Sequence, residues 1–213
     1  MLIYLIDNTL DGQGASPREL RASLHRMHPG LEIITDPFHA VSQERVQFLQ
    51  PSHIILSGQS HPWDQYPRGA LAGVFEVIKK ASQPILGVCG GHQQMALAFG
   101  APIGLMARQE PGRGYEGAKR ERGFLPVQVR NGGGLFKDLP SPITVWHSHF
   151  DEVKTLPQRF ECTAFNETCA IQSMQHTELP LFGVQFHPEL FDEEHPDGRK
   201  ALQNFLNLQL GAD

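Results

Sequence analysis

The stretch that most constrains the fold is Ile85-Leu86-Gly87-Val88, followed at once by Cys89-Gly90-Gly91 and then by Gln93 to Phe99. Four apolar residues bounded by turn signals read as a buried strand. Met95, Leu97, Ala98 and Phe99 place apolar side chains among good helix formers, so a helix follows. Strand, sharp turn, helix is the layout of a nucleophile elbow, here with Cys89 at its tip. Glycines beside the cysteine suit a strained turn and a helix that passes close to the strand. A thiol in this place meets the free N–H groups and the positive end of the helix dipole, which favour thiolate. A lone cysteine beside a helix start is usually structural. The run Gly87-Val88-Cys89-Gly90-Gly91-His92-Gln93 weighs against that reading.

A second apolar run, Leu181 to Phe186, ends in His187-Pro188-Glu189. A thiol nucleophile needs a base within hydrogen-bond reach, and the base needs a group that fixes its tautomer. His187 and Glu189 supply both just past the end of a strand. Pro188 keeps His187 out of helical geometry and stiffens the turn.

Upstream, strands and helices alternate. Strands are predicted at Leu2–Ile6, Leu31–Ile34 and His53–Leu56. Helices are predicted from Ser16-Pro17, with Ser16 as N-cap, and over Val41–Leu49 and Arg68–Lys80. Alternation of this kind predicts βαβ units and a mostly parallel sheet, with the site at the C-terminal ends of the strands. Asp7, Gly58, Cys89 and His187 all follow such strands. Downstream, Arg108 to Arg122 reads as a charged, Gly-rich surface excursion, its basic residues (Arg108, Arg113, Lys119, Arg120, Arg122) either solvated or facing a partner or anion. Leu125–Val129 alternates, which predicts an antiparallel strand, and Pro126 places it at an edge. Ile143–Asp151 reads as a strand running into a polar corner, Arg159–Ala164 and Ala170–Gln175 as a hairpin packing Cys162 and Cys169, and Gly198–Leu210 as a closing amphipathic helix. The expected fold class is α/β: a mostly parallel central sheet flanked by helices, with additional antiparallel strands in the C-terminal half, in one domain over residues 1–213.

The Cys89 motif together with Gly183-Val184-Gln185-Phe186-His187-Pro188-Glu189 resembles the class I, triad-type glutamine amidotransferases over nearly the whole chain. Leu135 to Pro140 and the Val145-Trp146…Ser148-His149 core are most similar to the glutaminase part of GMP synthetases. The resemblance implies a flavodoxin-like glutaminase fold and a catalytic triad of Cys89, His187 and Glu189. It implies an oxyanion hole from the backbone of Gly58, Gln59 and Gly90, and substrate binding by Gln93, Ser148, His149, Phe150 and Asp151. Gln59 stands where the family usually has a second glycine, and Phe150 where it usually has glycine. The implied reaction is hydrolysis of the glutamine side-chain amide through a γ-glutamyl thioester. Ammonia would go to a separate synthase chain, since the sequence holds no Gly-x-x-x-x-Gly-Lys motif. The alternatives are a γ-glutamyl amide or peptide hydrolase and a non-catalytic regulatory chain.

Composition narrows the rest. A formal charge of −5 gives no electrostatic case for nucleic acid or an anionic membrane. Three cysteines without CxxC spacing argue for free thiols and a reducing, cytoplasmic setting. The short apolar start, Met1 to Ile6, has no basic flank and reads as a strand, not a signal peptide. His147 and His149 fall on one face of a strand. With no third ligand evident in the sequence, neither metal nor other cofactor is expected.

Overall fold

The computed structural model describes residues 1–67, 69–107 and 114–208. Its backbone is a nine-stranded sheet in the order β2-β1-β3-β4-β11-β10-β9-β6-β7. The parallel part comprises β1 (Leu2–Asp7), β2 (Glu32–Pro37), β3 (His53–Leu56), β4 (Ile85–Val88) and β11 (Leu181–Val184). The antiparallel extension comprises β10 (Ser173–His176), β9 (Phe160–Phe165), β6 (Glu121–Val129) and β7 (Ile143–His149). The expected α/β class, with its antiparallel C-terminal addition, is what the chain adopts.

The apolar runs form strands because helices cover both faces. Side chains alternate across a strand, and each run divides accordingly. Ile3, Leu5, Ile55, Leu86, Val88 and Phe182 point to one side. There they pack with Leu20 and Leu24 of α1 (Ala15–Met27) and with Leu202 and Phe205 of α5 (Asp197–Leu206). Tyr4, Ile6, Ile54, Leu56, Ile85 and Leu181 point to the other. They meet Val46 of α2 (Gln43–Leu49), Val74 and Ile78 of α3 (Ala72–Lys79) and Met95 of α4 (Gly90–Ala98). No described helix is long and apolar enough to cross a membrane.

Several local expectations change. The first helix is capped by Gly14, so Ser16 lies one residue inside it and its hydroxyl is free to act elsewhere. A Cβ on Gly14 would collide with the Thr9 side chain, which leaves glycine as the residue that fits the cap position. The helix predicted from Arg68 starts at Ala72, and Arg68 lies outside the described residues. Within the predicted excursion, residues 108–113 are likewise outside them, and β6 already begins at Glu121. Strand β6 lies between β9 and β7 and is not the sheet edge. Pro126 is tolerated because β9 pairs only with Gln128 and Val129, so the missing N–H faces no partner strand. A short pair, β5 (Ile103–Leu105) with β8 (Asp151–Val153), has no counterpart in the sequence pattern; three residues carry too little periodicity to be seen. The helix predicted to Leu210 ends at Leu206, with residues beyond 208 outside the described set.

Helix α4 is buried on nearly all sides, which for a helix bearing His92, Gln93 and Gln94 calls for partners for the polar groups. Gln94 Nε2 donates to Asn8 Oδ1 (2.8 Å), and the Asn8 amide in turn donates to the Ser57 carbonyl (2.7 Å). The helix lies so close to the sheet that a Cβ on Gly91 would fall 2.4 Å from the Leu56 carbonyl oxygen, which is backbone and cannot yield. Gly91→Ala is therefore expected to lower stability by about 1–3 kcal/mol, the usual cost of overpacking. An unchanged urea midpoint would contradict this close approach.

Candidate active site

Strands β4 and β11 are parallel neighbours in register, Val184 opposite Val88. Whatever follows the two strands must therefore emerge side by side. Cys89 follows β4 with φ 50° and ψ −101°, at a positive φ that a non-glycine residue seldom adopts. Strain of this kind costs on the order of 1–3 kcal/mol and persists only where the surroundings enforce it. Here the Cys89 N–H donates to the Val184 carbonyl (2.8 Å) and its carbonyl accepts from Gln93 N–H (3.1 Å). The elbow is thus tied to β11 on one side and to α4 on the other. The sulfur accepts from Gln185 Nε2 (3.6 Å) and lies 3.8 Å from Gln59 Oε1.

His187 is anchored by its N–H to the Trp146 carbonyl (2.7 Å), which ties it to β7. Its Nδ1 pairs with Glu189 Oε1 at 2.8 Å. Burial opposes charge on this ring, but the Glu189 carboxylate and the Cys89 sulfur outweigh it, and the His187 pKa is raised well above 6.5. The three groups expected to meet do so at the floor of one cleft of ≈ 320 Å³, which Cys89, His187 and Glu189 all line.

The Glu189 oxygen that faces His187 has a second partner that sequence reading missed. Ser16 Oγ donates to Glu189 Oε1 (3.3 Å) and accepts from the Gly58 N–H (2.9 Å). Ser23 Oγ donates to the Glu189 carbonyl (2.7 Å). Helix α1 therefore braces the acid, and the Ser16 expected as a cap is a bridge. This also alters the expected oxyanion hole. The Gly58 N–H is spent on Ser16, which leaves Gln59 and Gly90. Their backbones touch closely: a Cβ on Gly90 would lie 2.5 Å from the Gln59 nitrogen. No hydrogen bond from either N–H is found among the described residues.

The expected substrate residues divide. Ser148, His149 and Phe150 line the cleft. Gln93 and Asp151 do not, and the Gln93 amide is fully engaged within the protein. Gln93 Nε2 donates to the Asp151 carbonyl (2.9 Å) and to Gln185 Oε1 (3.1 Å), while its Oε1 accepts from Trp63 Nε1 (2.7 Å) and Gln59 Nε2 (3.2 Å). Asp151 Oδ2 accepts from the Tyr115 hydroxyl (2.7 Å). Tyr115, from the stretch read as a surface excursion, stacks on Phe150 with centroids 4.4 Å apart and planes 9° apart, and joins it in lining the cleft. Phe150 in place of glycine thus gives Tyr115 a surface to pack on. Gln185 is visible in the sequence as the one polar residue in an apolar strand; Tyr115 and Trp63 carry no such signal.

Beneath the cleft, His147 and His149 gain the third neighbour that the sequence does not suggest, Glu121 of β6. Glu121 Oε2 lies 3.0 Å from His147 Nδ1 and 2.8 Å from His149 Nε2. It also accepts from Gln172 Nε2 (2.7 Å), while Oε1 accepts from Asn166 Nδ2 (2.7 Å) and the Thr168 hydroxyl. Burial alone would raise this carboxyl, but the nearby His147 ring and the donors of His149 and Thr168 outweigh burial and hold it below the usual carboxylate range. The ligand-capable atoms are close enough for a cation, and both ring nitrogens of His147 are buried without a hydrogen-bond partner among the described residues. Glu121 gathers His149, Asn166, Thr168 and Gln172 into a polar network under the Ser148–Asp151 corner.

Two outcomes follow from this geometry. A His187 pKa raised in the folded state adds stability below pH 6.5 that is lost as pH rises through the folded value. Glu189→Gln removes the main charge that raises it. The NMR titration midpoint of the His187 ring should then fall, and an unmoved midpoint would contradict the pairing. Ser16→Ala should cut kcat/KM about tenfold, equivalent to ~1.4 kcal/mol and in the range of one hydrogen bond to a charged group, while the melting curve stays within a few degrees of the parent. Full activity would show that Glu189 needs no brace.

Comparison with known proteins identifies the family of the chain. The profile of the glutamine amidotransferase class-I family matches residues 20–208. A glutamine-hydrolyzing GMP synthase chain of Methanopyrus kandleri, one named as a subunit of that enzyme, is 45% identical over 97% of this chain and 98% of its own length. The chain of the same name from Pyrococcus abyssi is 38% identical over 78% of this chain and 79% of its own. The crystal structure of a Thermoplasma acidophilum protein, also described as a GMP synthase subunit, superposes with a TM-score of 0.77 at 30% identity, covering 97% of this chain and 92% of that one. With a family profile spanning most of its length and relatives this similar, the chain belongs to the class I glutamine amidotransferases.

Proposed function

We propose that this chain is the glutaminase partner of a separate synthase chain of the GMP synthase type, and that Cys89, His187 and Glu189 carry its reaction. The observation that supports the residue assignment best is the elbow cysteine beside a His–Glu pair in one cleft. The thiolate of Cys89 attacks the side-chain amide carbon of L-glutamine, forming a C–S bond. The N–H groups of Gln59 and Gly90 receive the developing oxyanion, and one such donor is typically worth ~3 kcal/mol. As the C–N bond breaks, His187 gives its proton to the departing ammonia. It then takes a proton from water, which attacks the thioester, breaks the C–S bond and releases glutamate. Ser148, His149 and Phe150 surround the rest of the amino acid.

The synthase-partner part of the reading rests on relatives that are named as one subunit of a GMP synthase and are matched over most of their length. Three unpaired cysteines fit a reducing cytoplasm. Cys89→Ala and Cys89→Ser should abolish ammonia release from glutamine without lowering the melting temperature by more than a few degrees. Undiminished release in Cys89→Ala would overturn the assignment, as would a strong preference for γ-glutamyl peptides over free glutamine. A chain with synthase activity should co-purify from native lysate and raise the glutaminase rate; no stimulation by such a chain would sever the link to a partner.

A further inference from the structure

The side chain of Gln59 ends in a carboxamide on two methylenes, the same group that the proposed substrate presents. It lies where that substrate group must go. Its Oε1 is 3.8 Å from Cys89 Sγ, the thiol donating toward it. A Cβ on Gly90 would lie only 2.3 Å from the same oxygen, so the Gln59 carboxamide packs directly on the start of α4. Its Nε2 donates to Gln93 Oε1 at 3.2 Å and reaches the Tyr115 hydroxyl at 3.5 Å. The sulfur cannot take the acyl carbon of a glutamine while this group stays against it, because the reacting atoms must come within ~3–3.5 Å.

We propose that Gln59 is a gate residue that selects when the cleft opens: its own carboxamide caps the thiol, and glutamine binds only after that side chain has turned out. This rests on the glutaminase reading above. The bonds that hold the cap suit a reversible device. One is of ordinary length, one is at the limit of a hydrogen bond, and the third is a weak contact to sulfur. Gln59 is itself half-buried and not locked in the core. Its neighbours give the gate a natural lever. Tyr115 is held by Asp151 and by stacking on Phe150, and Trp63 shares the Gln93 oxygen with Gln59. A shift of the Tyr115 segment would remove one of the cap's three contacts. A capped site also lowers the apparent affinity for glutamine by the fraction of time it is open.

The test separates binding from chemistry. Glutamine affinity is measured by calorimetry in Cys89→Ala and in the double variants Cys89→Ala/Gln59→Ala and Cys89→Ala/Gln59→Gly, all of which keep the backbone N–H at 59. Removal of the cap should tighten glutamine binding about tenfold, the factor expected if the closed form outweighs the open by roughly ten to one. With Cys89 present, Gln59→Ala should speed alkylation of the thiol by a glutamine-analogue diazo ketone by a similar factor. Unchanged affinity in both double variants would overturn the gate. So would weaker binding, which would make Gln59 a substrate ligand. Ammonia release by the parent chain is measured alongside. Its absence would count against the glutaminase reading alone, since the affinity comparison does not depend on turnover.

Discussion

The pairing of β4 with β11 is the constraint on which the rest depends. Two parallel strands far apart in the sequence run in register, so the residues that leave their C-terminal ends leave together. The hydrogen bond from Cys89 N–H to the Val184 carbonyl continues that ladder one step past β4 and holds the cysteine at its positive φ. Backbone strain at a reactive residue needs such an anchor on both sides. The second anchor is α4, which can reach the elbow only because Gly87 and Gly91 bring strand and helix within van der Waals limits of backbone atoms. Sheet register, glycine spacing and the strained thiol are therefore one mechanical unit.

Around this unit the protein gathers many of its polar side chains into three sets. One set runs from α1 to the acid: Ser16 links Gly58 to Glu189, and Ser23 holds the Glu189 backbone. A second runs through Gln93, which connects Gln59, Trp63, Gln185 and the Asp151 carbonyl. A third is centred on Glu121 and joins His149, Asn166, Thr168 and Gln172 beside the substrate corner. In a low-dielectric interior, unpaired groups of this kind are costly, whereas paired networks are rigid. The cleft floor is consequently fixed by several elements at once, while the Gln59 side chain that lies over the sulfur is held by longer contacts.

Much of this is legible in the residues. The apolar runs at Leu2–Ile6, His53–Leu56, Ile85–Val88 and Leu181–Phe186 fall on the observed parallel strands because a strand covered on both faces is apolar along nearly its whole length. Cys89, His187 and Glu189 stand out because short-range patterns, Gly-x-Cys-x-Gly and His-Pro-Glu, are local and need no fold to be seen. Ser16 misleads for the same reason. A Ser-Pro-x-Glu run has the local form of a helix cap, and nothing near it in sequence reveals that its hydroxyl faces Glu189, 173 residues away. Gln93 draws attention as a motif residue, yet its role as a brace depends on four partners from three separate segments.

By itself, the sequence determined the alternation of strands and helices, the sharp turn that presents the thiol, and the presence of a base and an acid able to serve it. Each of these is written in contiguous residues and obeys local rules of periodicity, turn chemistry and side-chain type. Tertiary structure decided which N–H groups remain available beside the thiol, which side chains brace the acid, and what lies over the sulfur. These depend on distances between segments that the chain's order does not encode. Gly58 lost its expected place to a hydroxyl on the first helix, Glu121 joined two histidines from a neighbouring strand, and a glutamine in a loop came to rest against the cysteine because the folded backbone brings that loop over the start of α4.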